Sequence, residues 1–189
     1  MRALATWSGA IAGLLLILVG GLVPAAIPFP DAGVWAIRPL GITLQVPALL
    51  LTALVAGPRS GLLAAVAYLS VGLFQLPVFN AGGGIGYLLD PSFGYLAGFV
   101  PAAWITGRLA RQNGVDDPLS LAALAAIGLV VIHLCGLANL GLGGLAGRWG
   151  AAGLPLALSY SVAFLPQLLL CCAVGLLAWL LRRLLLVNA

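Results

Sequence analysis

A chain of 189 residues that is 63% hydrophobic, 6% charged and +4 in net charge matches neither main class of water-soluble chain. Soluble domains run at about a quarter charged, and disordered chains are poor in apolar residues, so lipid is the solvent that fits. All eight basic residues are arginines and all four acids are aspartates, scattered at the ends of apolar runs rather than gathered on one face, which sets nucleic acid aside as a partner.

A membrane-spanning helix needs about 20 mostly apolar residues. The first candidate runs from about Ala5 to Val23. Arg2 before it and Ala25-Ala26 behind it also suit a cleaved signal peptide, but later segments are equally apolar, so an uncleaved helix is the simpler expectation. Pro24 to Pro39, with its prolines, glycines, Asp31 and Arg38, predicts a loop with a short interfacial turn around Trp35. A second span is expected from about Ile42 to Ala56, punctuated by Gly57-Pro58-Arg59, and a short third from about Ser60 to Leu76.

Pro77 to Asp90, with Gly82-Gly83-Gly84 and Gly86, is irregular backbone, tolerated at membrane depth only where protein or a water-filled cavity covers it. Asp90-Pro91 has the form of an N-cap followed by proline at the first helical position. It opens a fourth span, 91–106. The polar stretch Arg108 to Asp117 is an aqueous loop, and adjacent Asp116-Asp117 is a solvated turn rather than a metal-diphosphate site. A fifth span covers 119–140, a Gly-rich connection carries Arg148, and a sixth covers 156–181 before Arg182-Arg183.

The expected architecture is an all-α integral membrane protein, one membrane domain over 1–189 with six transmembrane helices. With both termini inside (N-in, C-in), the cytoplasmic face of an inner, plasma membrane holds Arg2, Arg59, Arg108, Arg111, Arg182 and Arg183, and the outer face holds Arg38 and Arg148.

Absences restrict the chemistry. Without Lys there is no P-loop, and without Glu, with His133 as the single histidine, an intramembrane metalloprotease cannot be assembled. No enzyme, cofactor or metal is therefore expected. None of the aspartates lies mid-span, so the chain lacks the acidic relay of an ion-coupled carrier, and energy for transport comes from a partner or from a downhill gradient. Cys135, Cys171 and Cys172 lie inside apolar runs and read as small packing residues. His133 has two readings, an intramembrane functional group or a neutral imidazole bonded to a neighbouring helix, and packing is preferred.

The loops of the outer face carry Arg38, Asn80, Asp90 and Arg148, while Gln45, Tyr68, Tyr95 and Gln167 stand near the ends of adjoining spans. Such groups around a pocket of Gly, Trp and Phe suit a small amphipathic ligand with an anionic end. Singly each has a plainer role: Arg38 and Arg148 as interfacial anchors, Asp90 as a cap, Tyr95 in the aromatic belt. On the first span, Ala5, Gly9 and Gly13 stand four apart beside Ser8 and Ala12. That spacing lets two helix backbones approach closely, against a partner or within the bundle.

Ile42-Thr43-Leu44-Gln45, Gly57-Pro58-Arg59-Ser60-Gly61, Tyr68, Gly72, Leu76-Pro77-Val78-Phe79, Gly82-Gly83-Gly84 and Gly94-Tyr95-Leu96-Ala97-Gly98-Phe99, in this order, closely resemble the BioY family. These are the substrate-binding S components of energy-coupling-factor (ECF) biotin importers. The resemblance runs from about Pro39 to Arg108. It implies a six-helix S-component bundle that captures biotin from outside beneath its first and third loops. It also implies a transmembrane coupling subunit with two ATPases, docked partly through small residues of the first helix such as Ala5, Gly9 and Gly13. Some members of the family are thought to work without that module.

The family usually carries a Pro-Gly-Asp stretch followed by Lys in the sixth span, an acid and an amine associated with the biotin site. Here Leu168 and Cys171 take those places, and Asp90 and Ser92 stand where Gly and Thr are usual. Arg38, Arg148 or the Gly82–Gly84 amides are the candidates to replace the amine, and Asn80 or Gln167 the acid. The alternatives to biotin uptake are a membrane scaffold of BioY-like fold and an S component for another small anionic vitamin.

Overall fold

Apolar runs become helices here, and the Pro and Gly clusters between them set where each one stops. In the computed structural model, which describes residues 2–31, 34–74, 76–79 and 82–185, the order is α1 (Arg2–Leu22), a hairpin of β1 (Pro24–Asp31) and β2 (Val34–Thr43), α2 (Gln45–Ala56) and α3 (Pro58–Leu73). A 3-10 turn (Ile85–Leu89) leads to α4 (Phe93–Ala97), α5 (Phe99–Leu109), α6 (Pro118–Leu145), α7 (Gly153–Val162) and α8 (Phe164–Leu184). Ala3–Leu22, Pro118–Leu145 and the continuous stretch Gly153–Leu184 are each long and apolar enough to cross a membrane; Gln45–Ala56 and Pro58–Leu73 are shorter apolar helices.

The fourth and sixth expected spans are each two helices. Proline clashes with the carbonyl four residues before it. Pro101 therefore acts on Ala97 and Pro166 on Val162, which are the last residues of α4 and α7.

The segment expected to be a loop is an antiparallel hairpin instead, with Ile27 opposite Arg38 and Phe29 opposite Ala36. A two-stranded ladder turns every second N–H outward, and Pro28 and Pro30 share one parity, so neither removes a bond that the ladder needs. Trp35 is exposed on β2 rather than forming a separate turn. Ile42 and Thr43, expected in the second span, end the hairpin.

The cap expected at Asp90 is displaced, and an unexpected one forms at Asp117. Asp90 Oδ1 accepts the Ser92 N–H at 2.8 Å, but α4 starts only at Phe93. Asp117, expected only as part of a solvated turn, caps α6 by accepting the Leu119 and Ser120 amides at 2.9 Å each. The Ser120 hydroxyl and those amides hold its carboxyl below the usual range.

Close backbone contacts assemble the bundle. A Cβ on Gly13 would lie 2.3 Å from the Thr52 methyl carbon, and one on Gly9 would lie 2.9 Å from Ala56 Cβ. Gly9 and Gly13 thus serve contact with α2 and α3 within the chain, and Ala5 is the exposed member of the three. Gly94 and Gly98 repeat the device against α6, where added Cβ atoms would meet Asn139 Cβ at 2.3 Å and Cys135 Cβ at 2.9 Å.

The charged groups divide between the two ends. Buried Arg182 donates to the carbonyls of Ala110 and Val115 at 3.1 Å each, and Arg111 donates to Val55 O at 3.0 Å. These bonds gather the ends of α2, α5 and α8, with Arg59, Arg108 and Arg183 close by in sequence. Burial, and then Arg182, push the Arg111 guanidinium below its ordinary value. Arg38 on the hairpin and Arg148 after α6 belong to the opposite end.

Candidate functional site

Beneath the hairpin, at the arginine-poor end, lies a cavity of about 330 Å³. Its roof is the base of β2, with Gly41, Ile42 and Thr43, and Gln45 stands beside it at the start of α2. One wall is Tyr87, Ser92, Tyr95 and Phe99, brought there by the 3-10 turn, α4 and α5. The facing walls are Ile132 and His133 on α6, and Ser159, Tyr160, Ala163 and Gln167 along α7 and α8. Ala163 and Gln167 stand four apart, so one face of the α7–α8 junction and of α8 serves the cavity.

Three hydrogen-bond relays fix its polar groups. In the first, Gln45 Nε2 donates to Tyr68 Oη, which donates to Val78 O at 2.9 Å. Tyr68 is fully buried, stacked on Phe99 with centroids 6.1 Å apart and edge-on to Phe79 at 5.5 Å. Gly72 leaves room for that Phe79 ring, since a Cβ there would sit 2.1 Å from it.

In the second relay, the Ser92 hydroxyl donates to Asp90 Oδ1 at 2.5 Å, so the Tyr87 hydroxyl, 3.0 Å away, donates to Ser92. In the third, Ser161 donates its one proton to Ala157 O at 2.7 Å, and His133 Nε2 lies 3.2 Å from the same oxygen. The Tyr95 ring packs over Gly136, 5.2 Å from Tyr160 and 5.6 Å from His133. Its hydroxyl is buried with no hydrogen-bond partner among the described residues.

Of the residues expected at a site, Gln45, Tyr95 and Gln167 line the cavity together. Tyr68 lies beneath Gln45, and Asp90 behind Ser92, each holding a lining residue rather than lining the cavity itself. Arg38 does not line it; its guanidinium lies over the Phe29 ring at 4.7 Å. Arg148 lies over Trp149 at 5.0 Å and is equally outside the lining. The Gly82 amide is spent on Phe79 O and the Gly84 amide on Gly72 O. Asn80 lies outside the described residues. Leu168 and Cys171 do not line the cavity, and Cys171 is buried in the core one helical turn beyond Gln167.

Tyr87, Ser159 and Tyr160 are not among the residues expected at a site, and for His133 the packing reading is preferred to the functional one. Ser159-Tyr160-Ser161 is a polar triplet inside an apolar run, and that is the pattern that marks the α7 wall. His133 both bonds the neighbouring helix and lines the cavity. None of the described lining residues is Arg, Asp, Lys or Glu. The cavity thus offers hydroxyls, two carboxamides and an imidazole, a set suited to a small ligand with an amide-like head.

Residues 3–186 match the profile of the BioY family. The chain is 40% identical to a probable biotin transporter BioY of Lysinibacillus sphaericus over 93 residues, 48% of this chain and 46% of that protein. It is 37% identical to the biotin transporter BioY of Thermotoga maritima over 102 residues, 52% of this chain and 60% of that protein. The matches therefore span about half the length of these curated relatives. The fold resembles the crystal structure of the S-component for biotin from an ECF-type ABC transporter, with a TM-score of 0.63 at 19% identity, over 100% of this chain and 94% of that one.

Proposed function

The chain belongs to the BioY family, and from that footing we propose that it is the membrane-embedded binding component of a biotin uptake system. The observation that carries this reading is the cavity itself, of about 330 Å³, set beneath the hairpin and lined by neutral hydrogen-bonding groups. A ureido ring offers two N–H donors and one carbonyl acceptor, and the carboxamides of Gln45 and Gln167 present the complementary pair of functions. Leu96, Phe99, Leu129 and Ile132 supply apolar wall for the rest of such a ligand.

In this reading the arginine-rich end faces the cytoplasm of a plasma membrane, and the cavity opens toward the outside. The chain binds and carries, performing no reaction of its own. A transmembrane coupling subunit with ATPases supplies the energy, docking on a face of α1 that includes exposed Ala5.

Titration of the purified protein with biotin in detergent tests the assignment. Saturable binding supports it; none up to the high micromolar range contradicts it. A second reading, a BioY-like component for another small vitamin or a membrane scaffold, is favoured by the uncharged α8 face at Leu168 and Cys171. Mass spectrometry of co-purified small molecules identifies another vitamin. Affinity purification that recovers a large complex without coupling subunits or ATPases identifies the scaffold.

Tyr95 supplies a prediction with opposite signs. Its buried hydroxyl lacks a partner, so Tyr95→Phe raises the stability of the free protein by up to about 1 kcal/mol. Where bound ligand provides the missing acceptor, the same substitution weakens binding by about 2–12-fold. Thermal melts with and without biotin read both effects at once.

A further inference from the structure

Building on the biotin reading, we infer that His133 is the cation of this cavity and that binding of a ligand carboxylate is coupled to uptake of one proton by its imidazole. A carboxylate brought into the site meets no arginine, lysine or acid among the described lining residues. The arginines of this end, Arg38 and Arg148, are placed over Phe29 and Trp149 and lie outside the lining. That leaves the imidazole as the lining group that can carry a positive charge near neutral pH.

The hydrogen bonding designates the nitrogen that takes the proton. Ser161 spends its hydroxyl proton on Ala157 O, so its oxygen accepts from His133 and Nε2 carries the hydrogen. The neutral ring therefore has Nδ1 as its free base, and protonation there keeps the Ser161 bond intact. His133 is held in place by Tyr95 from α4, Ser161 from α7 and Phe164 from α8, whose ring is 5.0 Å away. From α2 and α5 the cavity receives Gln45 and Phe99, neither of them titratable. The other titratable groups among the described lining residues are the phenols of Tyr87, Tyr95 and Tyr160, none of which can carry a positive charge. Asp90 stands behind Ser92, and Cys171 on α8 is in the core outside the lining.

A bound carboxylate favours the imidazolium, so the histidine binds its proton more tightly in the complex than in the free protein. The added affinity is present in full below the free-state value and is lost as pH rises through the complex-state value. Binding of biotin and of uncharged biotinamide is measured by calorimetry from pH 6 to 8.5, where biotin stays ionised. Biotin affinity of the intact protein is expected to rise by up to roughly tenfold per pH unit as pH falls through this range, while biotinamide affinity changes less than about twofold. His133→Gln is expected to flatten the biotin dependence, and Arg38→Gln or Arg148→Gln to leave it in place. Should the histidine variant fail to fold, the comparison of biotin with biotinamide on the unaltered protein still decides. Biotin binding independent of pH, or an equal slope with biotinamide, overturns the coupling and leaves the biotin reading standing. Absence of binding by either compound at every pH overturns both.

Discussion

Replacing Ala163 with Trp is expected to reduce biotin affinity at least about 100-fold, close to 3 kcal/mol, while leaving the protein folded. Ala163 sits at the junction of α7 and α8 with φ −67, a helical conformation that any L residue adopts. It lines the cavity four residues ahead of Gln167, so an indole at this position projects into the space the ligand would occupy. Because the added volume enters a cavity and not the packed core, overpacking strain is small, and the melting transition is expected to shift by less than about 1 kcal/mol in stability. Calorimetric titration and a thermal melt on the same preparation check both halves. A variant that binds biotin like the parent places the ligand elsewhere.

The second large effect lies at the opposite end. Arg182→Met is expected to lower stability by about 2–4 kcal/mol, because two charge-assisted hydrogen bonds vanish and two carbonyls are stranded. Arg182 is 5% exposed and reaches both Ala110 O and Val115 O, joining α8 to the end of α5 and the loop before α6. Relief of repulsion with Arg111 offsets part of the loss. A lysine cannot span both carbonyls with one ammonium, so Arg182→Lys falls between the parent and the methionine variant. Denaturation in detergent ranks the three. Biotin affinity should move less than threefold, since the cavity lies beneath the hairpin at the other end; equal stability of all three proteins contradicts this account of the arginine end.

Much of the fold was legible because the membrane imposes long apolar runs, and such runs have few alternatives to helix. α1 and α6 were located within a few residues, and the arginines divided the two ends correctly. What the sequence concealed were interruptions made by single residues. Pro101 and Pro166 each break a helix four residues upstream, inside runs that are apolar enough overall to read as single spans. The hairpin was hidden by Pro28 and Pro30, which argue against a strand unless it is known to have an open edge.

The site was legible in part. Gln45, Tyr95 and Gln167 stood out as polar groups near span ends, and they meet in the cavity. Arg38 stood out for its charge, yet strand pairing and the Phe29 ring hold it on the hairpin. Tyr160 and His133 were missed as lining because a hydropathy reading has no measure of which face of a helix turns inward. The glycines of α1 carried the same ambiguity: their spacing fits a partner or a neighbour, and within the chain Gly9 and Gly13 meet α2 and α3.

The most direct test of the central claim is a structure determined at saturating biotin. The ligand is expected beneath the hairpin, with its ureido ring within hydrogen-bond distance of Gln45 or Gln167 and its carboxylate toward His133. Biotin bound outside this cavity, or a cavity without biotin at saturation, would contradict the account.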